Sequence, residues 1–572
     1  MRLALVQINP TVGDLVGNSR LVLEALSEAE KRGADLACFP ELALCGYPPE
    51  DLLLKRGFIE ENQEALSELA RQVGDTAIVL GALDYQEDLF NSAAVLHRGE
   101  VAAVYHKKFL PNYGVFDENR YFAAGESGLV IEAGGIRTGI TVCEDVWYPG
   151  GPLEEEVARG GAEVVINISS SPYRKGKQRE RERLLLSRAM DTNTILAYVN
   201  CVGGQDELIF DGGSMILHPW KGILASATRF QEESLLFDVD TTGIQARRLL
   251  KPLHRYARSD APRGPTRVIQ LGGRRGPSPG ERPPSHIEDI TLEPEDEEIL
   301  KALLMGLRDY IRKNGFGDVL IGLSGGIDSS LTAAVAAMAL GPSRVHGVFL
   351  PSRHTSEVSR LGVDMLVASL GLSLETFAID GILDTYLREA GDSLRGSGKD
   401  IALENLQARI RGNILMNMSN SRGWLVLATG NKSELSMGYC TLYGDMAGGY
   451  AVIKDLLKGE VYRLSRYINT REGGEVIPGV VLEREPSAEL REDQRDADSL
   501  PPYELLDPIL EDYIENGLTV REMVEKGRDG ELAGEVIRRV DANEYKRRQA
   551  PVGIKITSRA FGRDWRLPIS TG

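Results

Sequence analysis

The first 250 or so residues alternate between short apolar runs and amphipathic stretches, which predicts strands interleaved with helices. Strands are predicted at residues 3–8, 36–39, 77–82, 93–97, 101–105, 136–142, 164–168 and 195–200. Helices are predicted at residues 18–32, 58–73 and 179–193. Residues 98–100 (RGE) form a turn between two apolar runs, which is typical of a hairpin. The pattern therefore predicts an α/β domain with a mixed or antiparallel component.

The pattern changes after this region and then resumes. Residues 258–288 are dominated by Pro, Gly and Arg and have no periodicity, which indicates a linker or an extended arm. Beyond them, strands are predicted at residues 319–322, 345–350, 374–379 and 424–428, each followed by a helical stretch. This order predicts a doubly wound parallel sheet, which binds ligands at the carboxyl ends of its strands. We expect domains at 1–257 and 289–572, because 572 residues exceed what one core accommodates.

Composition narrows the functional class. Hydrophobic content of 42 % and charged content of 26 % are typical of a globular protein. The net charge of −18 argues against a general nucleic-acid or membrane-surface binder. No apolar run approaches the ~20 residues of a membrane span, and the N-terminus enters a strand pattern without a signal-peptide core. Five scattered cysteines without a CxxC pair predict a cytoplasmic protein that has neither a disulfide framework nor a zinc site.

A glycine turn in the second domain predicts a phosphate site. The sequence SGGIDSS follows an apolar strand and opens an alanine-rich helix near Asp328. Backbone N–H groups at such a turn and helix start attract anions, Ser324, Ser329 and Ser330 can donate hydroxyls, and Asp328 can hold a metal ion. The loop lacks the GK[ST] ending of a Walker A motif. It resembles the pyrophosphate loop of the ATP pyrophosphatases, which cleave ATP between its α and β phosphates.

Three polar residues of the first domain each follow the carboxyl end of a predicted strand: Glu41, Lys107 and Cys143. Their segments, FPELALCGYPPED, YHKKFLPNYGVFDENRYF and GITVCEDVW, resemble in order the three signature segments of the nitrilase superfamily. The resemblance spans nearly all of residues 1–250. It implies an αββα sandwich for this domain.

The resemblance also implies roles for these residues. Glu41 would deprotonate Cys143, which attacks a carboxamide, while Lys107 and the backbone N–H of Glu144 stabilise the oxyanion. Ammonia leaves, a thioester remains, and Glu41 then activates water. The spacing K-x-x-L-P selects Lys107 rather than the adjacent lysine. By the same resemblance, Glu118 supports this site, and the residues that hold a glutamine are Tyr113, Ser169 and Ser171.

Segments of the second domain distinguish among the ATP pyrophosphatases. The sequences FLPSRHTSEVS, ENLQARIRGNILMNMSN, LATGNKSEL and YCTLYGDMAGGYAVIKDLLKGEVYRL, together with the segment from Glu483 to Asp507 that contains Asp493, resemble NAD synthetases. Arg409 and Arg411, on the helical second segment, could face an anionic ligand.

The NAD synthetase resemblance implies further site residues. The ATP site would comprise Ser324, Gly325, Gly326, Asp328, Ser329, Ser330, Thr429, Lys458 and Ser487. A Mg²⁺ ion would be held by Asp328 and Glu434, because hard oxygen donors suit this ion. The dinucleotide substrate would be bound by Asn405, Arg409, Asp445 and Lys454.

Together the two resemblances imply a ligase of the glutamine-dependent NAD synthetase family. Glutamine would be hydrolysed through a cysteine thioester, and the ammonia would amidate the adenylated nicotinate carboxylate of nicotinic acid adenine dinucleotide. The products would be NAD⁺, AMP, pyrophosphate and glutamate. The family resemblance also implies a homo-oligomer. Two alternatives stay open, namely another glutamine-dependent ATP-pyrophosphatase amide ligase and a non-catalytic scaffold.

Overall fold

The computed structural model describes residues 1–250, 265–271, 293–390, 401–492 and 494–570. The chain forms two compact units, the first comprising Met1–Gln205 and Ile209–Glu293 and the second comprising Asp206–Leu208 and Pro294–Gly572. Most of the predicted linker lies outside the described residues, and the domain boundaries at 257 and 289 stay predictions. Within the described residues, no helix is both long and apolar enough to cross a membrane.

The first unit contains fifteen strands and five α-helices among its described residues. The strands are β1 (Arg2–Gln7), β2 (Leu36–Cys38), β3 (Ala77–Tyr85), β4 (Leu89–His97), β5 (Glu100–His106), β6 (Gly128–Ala133), β7 (Ile136–Val142), β8 (Val164–Ser169), β9 (Ile195–Asn200), β10 (Val202–Gln205), β11 (Leu208–Asp211), β12 (Met215–His218), β13 (Gly222–Ser226), β14 (Glu233–Asp238) and β15 (Thr266–Gln270). The helices are α1 (Leu15–Lys31), α2 (Arg56–Gln72), α3 (Pro152–Ala158), α4 (Lys177–Thr192) and α5 (Ile244–Leu250).

Two large sheets face each other in this unit. The strand orders are β14-β1-β2-β3-β4-β5 and β13-β12-β9-β8-β7-β6-β15, and β10 pairs with β11 in a small ribbon. Because side chains alternate along a strand, Leu3 and Leu5 of β1 join the core between the sheets, whereas Ala4 and Val6 pack with α1 and α2. On the outer face of the second sheet, the apolar side chains pack with α3 and α4. These four layers confirm the predicted αββα sandwich.

The predicted hairpin is confirmed. Strands β4 and β5 pair antiparallel, and both Arg98 (φ 50°) and Gly99 (φ 85°) in the connecting turn have positive φ. The apolar pattern does not indicate β6, which lies next to the edge strand β15, or the strands β10–β14. Strands β10 and β11 form the small ribbon, β12 and β13 lie at one edge of the second sheet, and β14 is an edge of the first. Strand β15 lies inside the predicted linker and pairs in parallel with β6.

The second unit is built on a parallel sheet flanked by helices. Its strands are β16 (Val319–Leu323), β17 (Val345–Phe349), β18 (Ser373–Thr376), β19 (Leu425–Ala428) and β20 (Tyr450–Ala451). Its helices are α6 (Glu295–Lys313), α7 (Ile327–Leu340), α8 (Glu357–Leu370), α9 (Asp380–Ala390), α10 (Ile401–Arg422), α11 (Lys432–Met437), α12 (Lys458–Glu472), α13 (Gly479–Leu482), α14 (Tyr503–Leu510), α15 (Val520–Glu525), α16 (Gly530–Ala542) and α17 (Glu544–Arg547).

The strand order β18-β17-β16-β19-β20 places the first strand, β16, at the centre of the sheet. All four strand pairs are parallel. The chain winds outward from β16 to β18 and then returns to the other side at β19, so the winding direction reverses between β16 and β19. This confirms the predicted doubly wound sheet, and a ligand crevice is expected where the direction reverses. A helical cluster with its own core, centred on α14 and α16, follows the sheet.

Candidate active sites

In the first unit, Glu41 sits on a tight turn just after β2. Strand β3 passes so close to this turn that a Cβ on Gly81 would lie 2.2 Å from Leu42 N and 2.3 Å from Pro40 O. Glycine is therefore required there. The Glu41 carboxylate is buried and accepts hydrogen bonds from Ser170 N at 2.9 Å and Asn91 Nδ2 at 2.8 Å.

Lys107, directly after β5, lies between two buried carboxylates. Its Nζ is 2.7 Å from Glu41 Oε1 and 2.8 Å from Glu118 Oε2, and its side chain is fully buried. Burial works against a charge on Lys107, but Glu118 and Glu41 outweigh it and hold the lysine pKa well above its ordinary value. Burial raises the pKa of Glu118 to about 7, although Lys107 acts in the opposite direction. The cluster thus keeps a permanent ammonium beside Glu41.

Cys143 begins a short 3₁₀ turn, Cys143–Val146, at the end of β7. Its φ of 42° lies in the left-handed region that a residue with a side chain rarely adopts. Burial raises the pKa of its thiol well above the ordinary value, Glu41 adds to this rise, and Lys107 opposes it. The thiol is therefore protonated at rest, and its attack on a substrate requires a base.

Asp145 ties the turn that carries Cys143 to the segment that follows Lys107. Its Oδ1 accepts hydrogen bonds from the backbone N–H of Lys108 (3.1 Å) and Phe109 (2.9 Å). Its Oδ2 accepts from Tyr105 Oη (2.8 Å) and from Val142 N (3.0 Å). The carboxylate is fully buried, so these four bonds fix the relative positions of two predicted catalytic residues.

The predicted glutamine-binding residues lie on neighbouring elements of this unit. Tyr113 Oη donates to the Glu144 carboxylate at 2.9 Å, and the tyrosine is 54 % exposed whereas Glu144 is buried. Ser169 Oγ donates to Asn167 Oδ1, and Ser171 N donates to Asn200 Oδ1, each at 2.9 Å. The roles of these residues stay predictions.

Sequence reasoning missed four residues of this cluster. Asn91 and Ser170 bind Glu41, Tyr47 Oη donates to Glu118 Oε1 at 3.0 Å, and Asp145 makes the tie described above. Asp145 could have been noticed in the sequence, because it is an acidic residue only two positions after Cys143. The other three contacts depend on distant strands and turns and leave no local signal.

In the second unit, the SGGIDSS loop joins β16 to α7. Gly325 has φ 78°, and a Cβ there would lie 2.4 Å from Ser359 O, so this position requires glycine. Ser324 Oγ accepts a hydrogen bond from Gly326 N at 3.2 Å and lies 3.2 Å from Ser329 Oγ. The turn therefore keeps its hydroxyls and N–H groups close together at the start of a helix, as an anion site requires.

A cavity of about 290 Å³ opens over this loop. Nine of the predicted residues line it, namely Ser324, Gly326, Asp328, Ser329, Thr429, Glu434, Asp445, Lys458 and Ser487. Among the described residues, Gly325, Ser330, Asn405, Arg409 and Lys454 are not part of this lining. The cavity thus collects most of the predicted ATP residues and only one of the four predicted dinucleotide residues.

The four residues predicted to bind the dinucleotide have protein partners in this structure. Asn405 Oδ1 accepts from Thr441 Oγ1 at 2.8 Å, and Arg409, which is exposed, donates to Leu442 O at 3.2 Å. Buried Lys454 donates to Pro551 O at 2.7 Å, and Asp445 Oδ1 accepts from Thr441 N at 2.7 Å. Asp493 lies outside the described residues. Their roles as substrate contacts stay predictions.

Lys458 bridges the two carboxylates predicted to hold a metal ion. Its Nζ is 2.6 Å from Asp328 Oδ2 and 3.0 Å from Glu434 Oε1. Burial opposes the charge on Lys458, but the two carboxylates hold its pKa well above the ordinary value. Burial raises the pKa of Glu434 to about 8, although Lys458 acts in the opposite direction. Among the described residues, no group of three or more His, Cys, Asp or Glu is arranged to hold a metal ion. The assignment of Asp328 and Glu434 to a Mg²⁺ ion stays a prediction.

Comparison with known proteins identifies both units. Residues 2–249 match the carbon-nitrogen hydrolase family, and residues 299–550 match the NAD synthase family. The chain is 46 % identical to the glutamine-dependent NAD(+) synthetase of Thermotoga maritima, covering 100 % of this chain and 98 % of that protein. It is 44 % identical to the enzyme of the same name from Aquifex aeolicus, covering 100 % and 99 %.

A solved structure agrees with these relatives. The glutamine-dependent NAD+ synthetase of Acinetobacter baumannii, in complex with adenosine diphosphate, is 38 % identical with a TM-score of 0.75. The match covers 99 % of this chain and 98 % of that one. The chain described here belongs to the glutamine-dependent NAD+ synthetase family of ligases.

Proposed function

We propose that this chain converts nicotinic acid adenine dinucleotide, ATP and glutamine into NAD⁺, AMP, pyrophosphate and glutamate, with the division of labour given below. The observation that carries the proposal is that one chain contains two preorganised clusters of polar residues, one in each unit. One is the buried cluster of Cys143, Glu41 and Lys107. The other is the cavity over the SGGIDSS loop, which Asp328 and Lys458 line.

The first site would hydrolyse glutamine. Cys143 Sγ attacks the carboxamide carbon while its proton passes to Glu41, since burial keeps the resting thiol protonated. Of the three N–H bonds of the Lys107 ammonium, two are directed to Glu41 and Glu118, which leaves one for the oxyanion. The N–H of Glu144 supplies a second donor.

The second half of that reaction reuses the same groups. Glu41 returns its proton to the leaving nitrogen, so ammonia departs and a thioester to Cys143 remains. A water molecule then attacks the thioester carbonyl as Glu41 takes its proton, and the thiol is restored when glutamate leaves. We assign the binding of the glutamine molecule to Tyr113, Ser169 and Ser171.

The second site would activate the nicotinate carboxylate. A carboxylate oxygen attacks the α-phosphorus of ATP and pyrophosphate leaves, which gives an acyl adenylate. Ammonia then attacks the acyl carbon, and AMP leaves as the amide forms. The SGGIDSS loop, Thr429, Lys458 and Ser487 would hold the phosphates, because N–H, hydroxyl and ammonium donors match the charge of the departing pyrophosphate.

The acidic pair in the cavity supports a requirement for Mg²⁺. Asp328 and Glu434 already share one positive charge, that of Lys458, and both line the cavity. These two carboxylates would hold the ion. When bound, Mg²⁺ would neutralise phosphate charge and so make the pyrophosphate a better leaving group.

We also propose that the enzyme is a cytoplasmic homo-oligomer. The cytoplasmic assignment is supported by the five cysteines, which the structure describes and none of which forms a disulfide bond. Chromatography with light scattering on the purified protein measures the oligomeric state, and a monomer at micromolar concentration would contradict the proposal.

The reaction is tested with a substrate panel. Pyrophosphate release from ATP is measured with nicotinic acid adenine dinucleotide, with aspartate and with xanthosine monophosphate, each with glutamine as nitrogen source. Release with the dinucleotide alone is expected. Release with one of the other carboxylates would support a different amide ligase, and no release with any of them would support a scaffold.

A further inference from the structure

Among the described residues, the cationic side chains that line the cavity of the second unit are Lys458, Arg411 and Arg484. Two of them already have carboxylate partners. Lys458 bridges Asp328 and Glu434, and Arg484 pairs with Glu489. Arg411 differs, because it makes no ion pair with any residue that the structure describes.

One nitrogen of the Arg411 guanidinium is hydrogen-bonded, and the other two have no acceptor among the described residues. Its Nε donates to Leu350 O, just past the end of β17, at 3.0 Å. No acceptor among the described residues bonds its two terminal amino groups. Burial lowers the pKa of Arg411 to about 10, and Glu489 and Asp380 compensate only partly. The half-buried guanidinium is therefore charged at neutral pH and has no close counter-charge among the described residues.

The neighbouring Arg409 occupies a different environment. Two positions along a helix differ by about 200° around its axis, so Arg409 and Arg411 of α10 project from different faces. Arg409 is exposed and bonds Leu442 O, whereas Arg411 lines the cavity. The sequence pattern could not choose between the two arginines, and their placement in the fold separates them.

We propose that Arg411 binds a phosphate group of a nucleotide substrate in this cavity. This inference deepens the proposed function and rests on it. An arginine whose terminal amino groups are free offers two parallel N–H donors that match two phosphate oxygens. The SGGIDSS loop and Lys458 line the same cavity, so Arg411 adds a second cationic side chain to a site that already offers backbone N–H groups, hydroxyls and one ammonium. The bond to Leu350 O limits the conformational entropy that binding would cost.

Two substrates carry such a phosphate, and separate binding titrations distinguish them. ATP alone and nicotinic acid adenine dinucleotide alone are titrated calorimetrically into the full-length wild type and the variants Arg411→Gln, Arg411→Lys and Arg422→Gln. Arg411→Gln should weaken one of the two ligands about tenfold, the scale of losing a charged hydrogen-bonding partner. Arg411→Lys should give an intermediate loss, because a lysine keeps the charge without the paired donors. Arg422→Gln should leave that same ligand within about twofold of the wild type, because Arg422 is exposed at the end of α10 and does not line the cavity.

Glutamine hydrolysis by each variant and its melting temperature serve as controls for folding. If Arg411→Gln does not fold, Arg411→Lys carries the test, and a loss of at least about threefold for one ligand is expected. Wild-type affinity for both ligands in a folded Arg411 variant would overturn the inference. A loss of affinity for that same ligand in Arg422→Gln that equals or exceeds the loss in Arg411→Gln would overturn it as well. A wild type that binds ATP through Arg411 but makes no NAD⁺ would contradict the proposed function and leave the inference standing.

Discussion

The two sites share one motif, a lysine between two carboxylates, and use it differently. Lys107 lies 2.7 Å from Glu41 and 2.8 Å from Glu118, and Lys458 lies 2.6 Å from Asp328 and 3.0 Å from Glu434. In the first set, the side chains are 0 %, 1 % and 5 % exposed. In the second, Lys458 is 3 % exposed, but Asp328 and Glu434 are 17 % and 18 % exposed.

The surrounding contacts differ in the same sense. Both carboxylates of the first set bond to Asn91, and further donors come from Tyr47 and Ser170. In the second set, Asp328 gains a single bond from Asn431 at 2.8 Å, and both carboxylates line the cavity. We infer from these contacts that the first set would act on a substrate as it stands. The second set could exchange partners, so that a phosphate or a cation would replace a protein contact.

The largest expected effect is on the rate of NAD⁺ formation, and it distinguishes the first set from the second. Glu41→Gln removes the base, so NAD⁺ formation from glutamine should fall by about 10²–10⁴-fold, while formation from ammonium chloride stays at the wild-type level. The matched change in the second set, Glu434→Gln, should lower both activities together. Steady-state rates with each nitrogen source check this. Equal losses from both sources in Glu41→Gln would remove the functional distinction between the sets.

The two lysines should also differ in their effect on stability. Lys107→Met leaves two buried carboxylates without a cation and should lower the free energy of unfolding by about 3–5 kcal/mol. Lys458→Met should cost less, because Asp328 and Glu434 retain contact with water. Denaturant titrations of both variants measure these losses. A larger loss of unfolding free energy for Lys458→Met than for Lys107→Met would contradict the conclusion that the first set is the more buried one.

The four hydrogen bonds of Asp145 allow a test of whether the positions of Lys107 and Cys143 matter for catalysis. An asparagine there presents an amide to one pair of N–H or O–H donors and so loses about two of the four bonds. We expect Asp145→Asn to lower kcat for glutamine hydrolysis about tenfold, with KM little changed, because Asp145 would act through Lys107 and Cys143. Asp75→Asn, which changes an exposed ion pair with Arg98, is the control. A lower melting temperature with unchanged kcat would show that Asp145 is structural only.

The last expected effect is a dependence of stability on pH, which accumulates over several pH units. Burial raises the pKa of Glu118 to about 7 and that of Glu434 to about 8 from an ordinary value of 4.5. Between 4.5 and those values the native state holds protons that the unfolded chain has released, so stability falls as pH rises, by at most about 1.4 kcal/mol per pH unit for each group. Denaturation from pH 5 to 8 should show a weaker pH dependence in Glu118→Gln and Glu434→Gln. A wild-type slope in both variants would contradict this.

Much of the fold follows from the hydrophobic pattern, and its failures have physical causes. Strands β7 and β9 begin and end at the predicted residues. Each begins with a β-branched isoleucine, and most of the residues that follow are apolar or β-branched. Strand β10, Val202–Gln205, contains two glycines, and β12 is only four residues long, so neither gives a periodic signal. Their pairing is fixed by neighbouring strands rather than by their own sequence.

The two sites likewise contain some residues that the sequence indicates and others that only the fold reveals. Glu41, Lys107 and Cys143 were singled out because each follows a predicted strand and lies in a segment that resembles the nitrilase superfamily. The structure places Glu41 and Lys107 2.7 Å apart, and the catalytic roles of all three stay predictions. Asn91 was not predictable, because an amide inside β4 resembles any polar position on a strand. Arg411 was one of two candidates on α10, and only the position of the helix beside the cavity distinguishes it from Arg409.

The central claim is that one chain carries two separable activities, and the Cys143→Ala variant tests it most directly. NAD⁺ formation from nicotinic acid adenine dinucleotide and ATP is measured for this variant and the wild type, with glutamine and then with ammonium chloride. The account predicts that the variant makes NAD⁺ from ammonium at the wild-type rate and none from glutamine. Loss of both activities in a variant that melts like the wild type, or retention of the glutamine-supported activity, would contradict it.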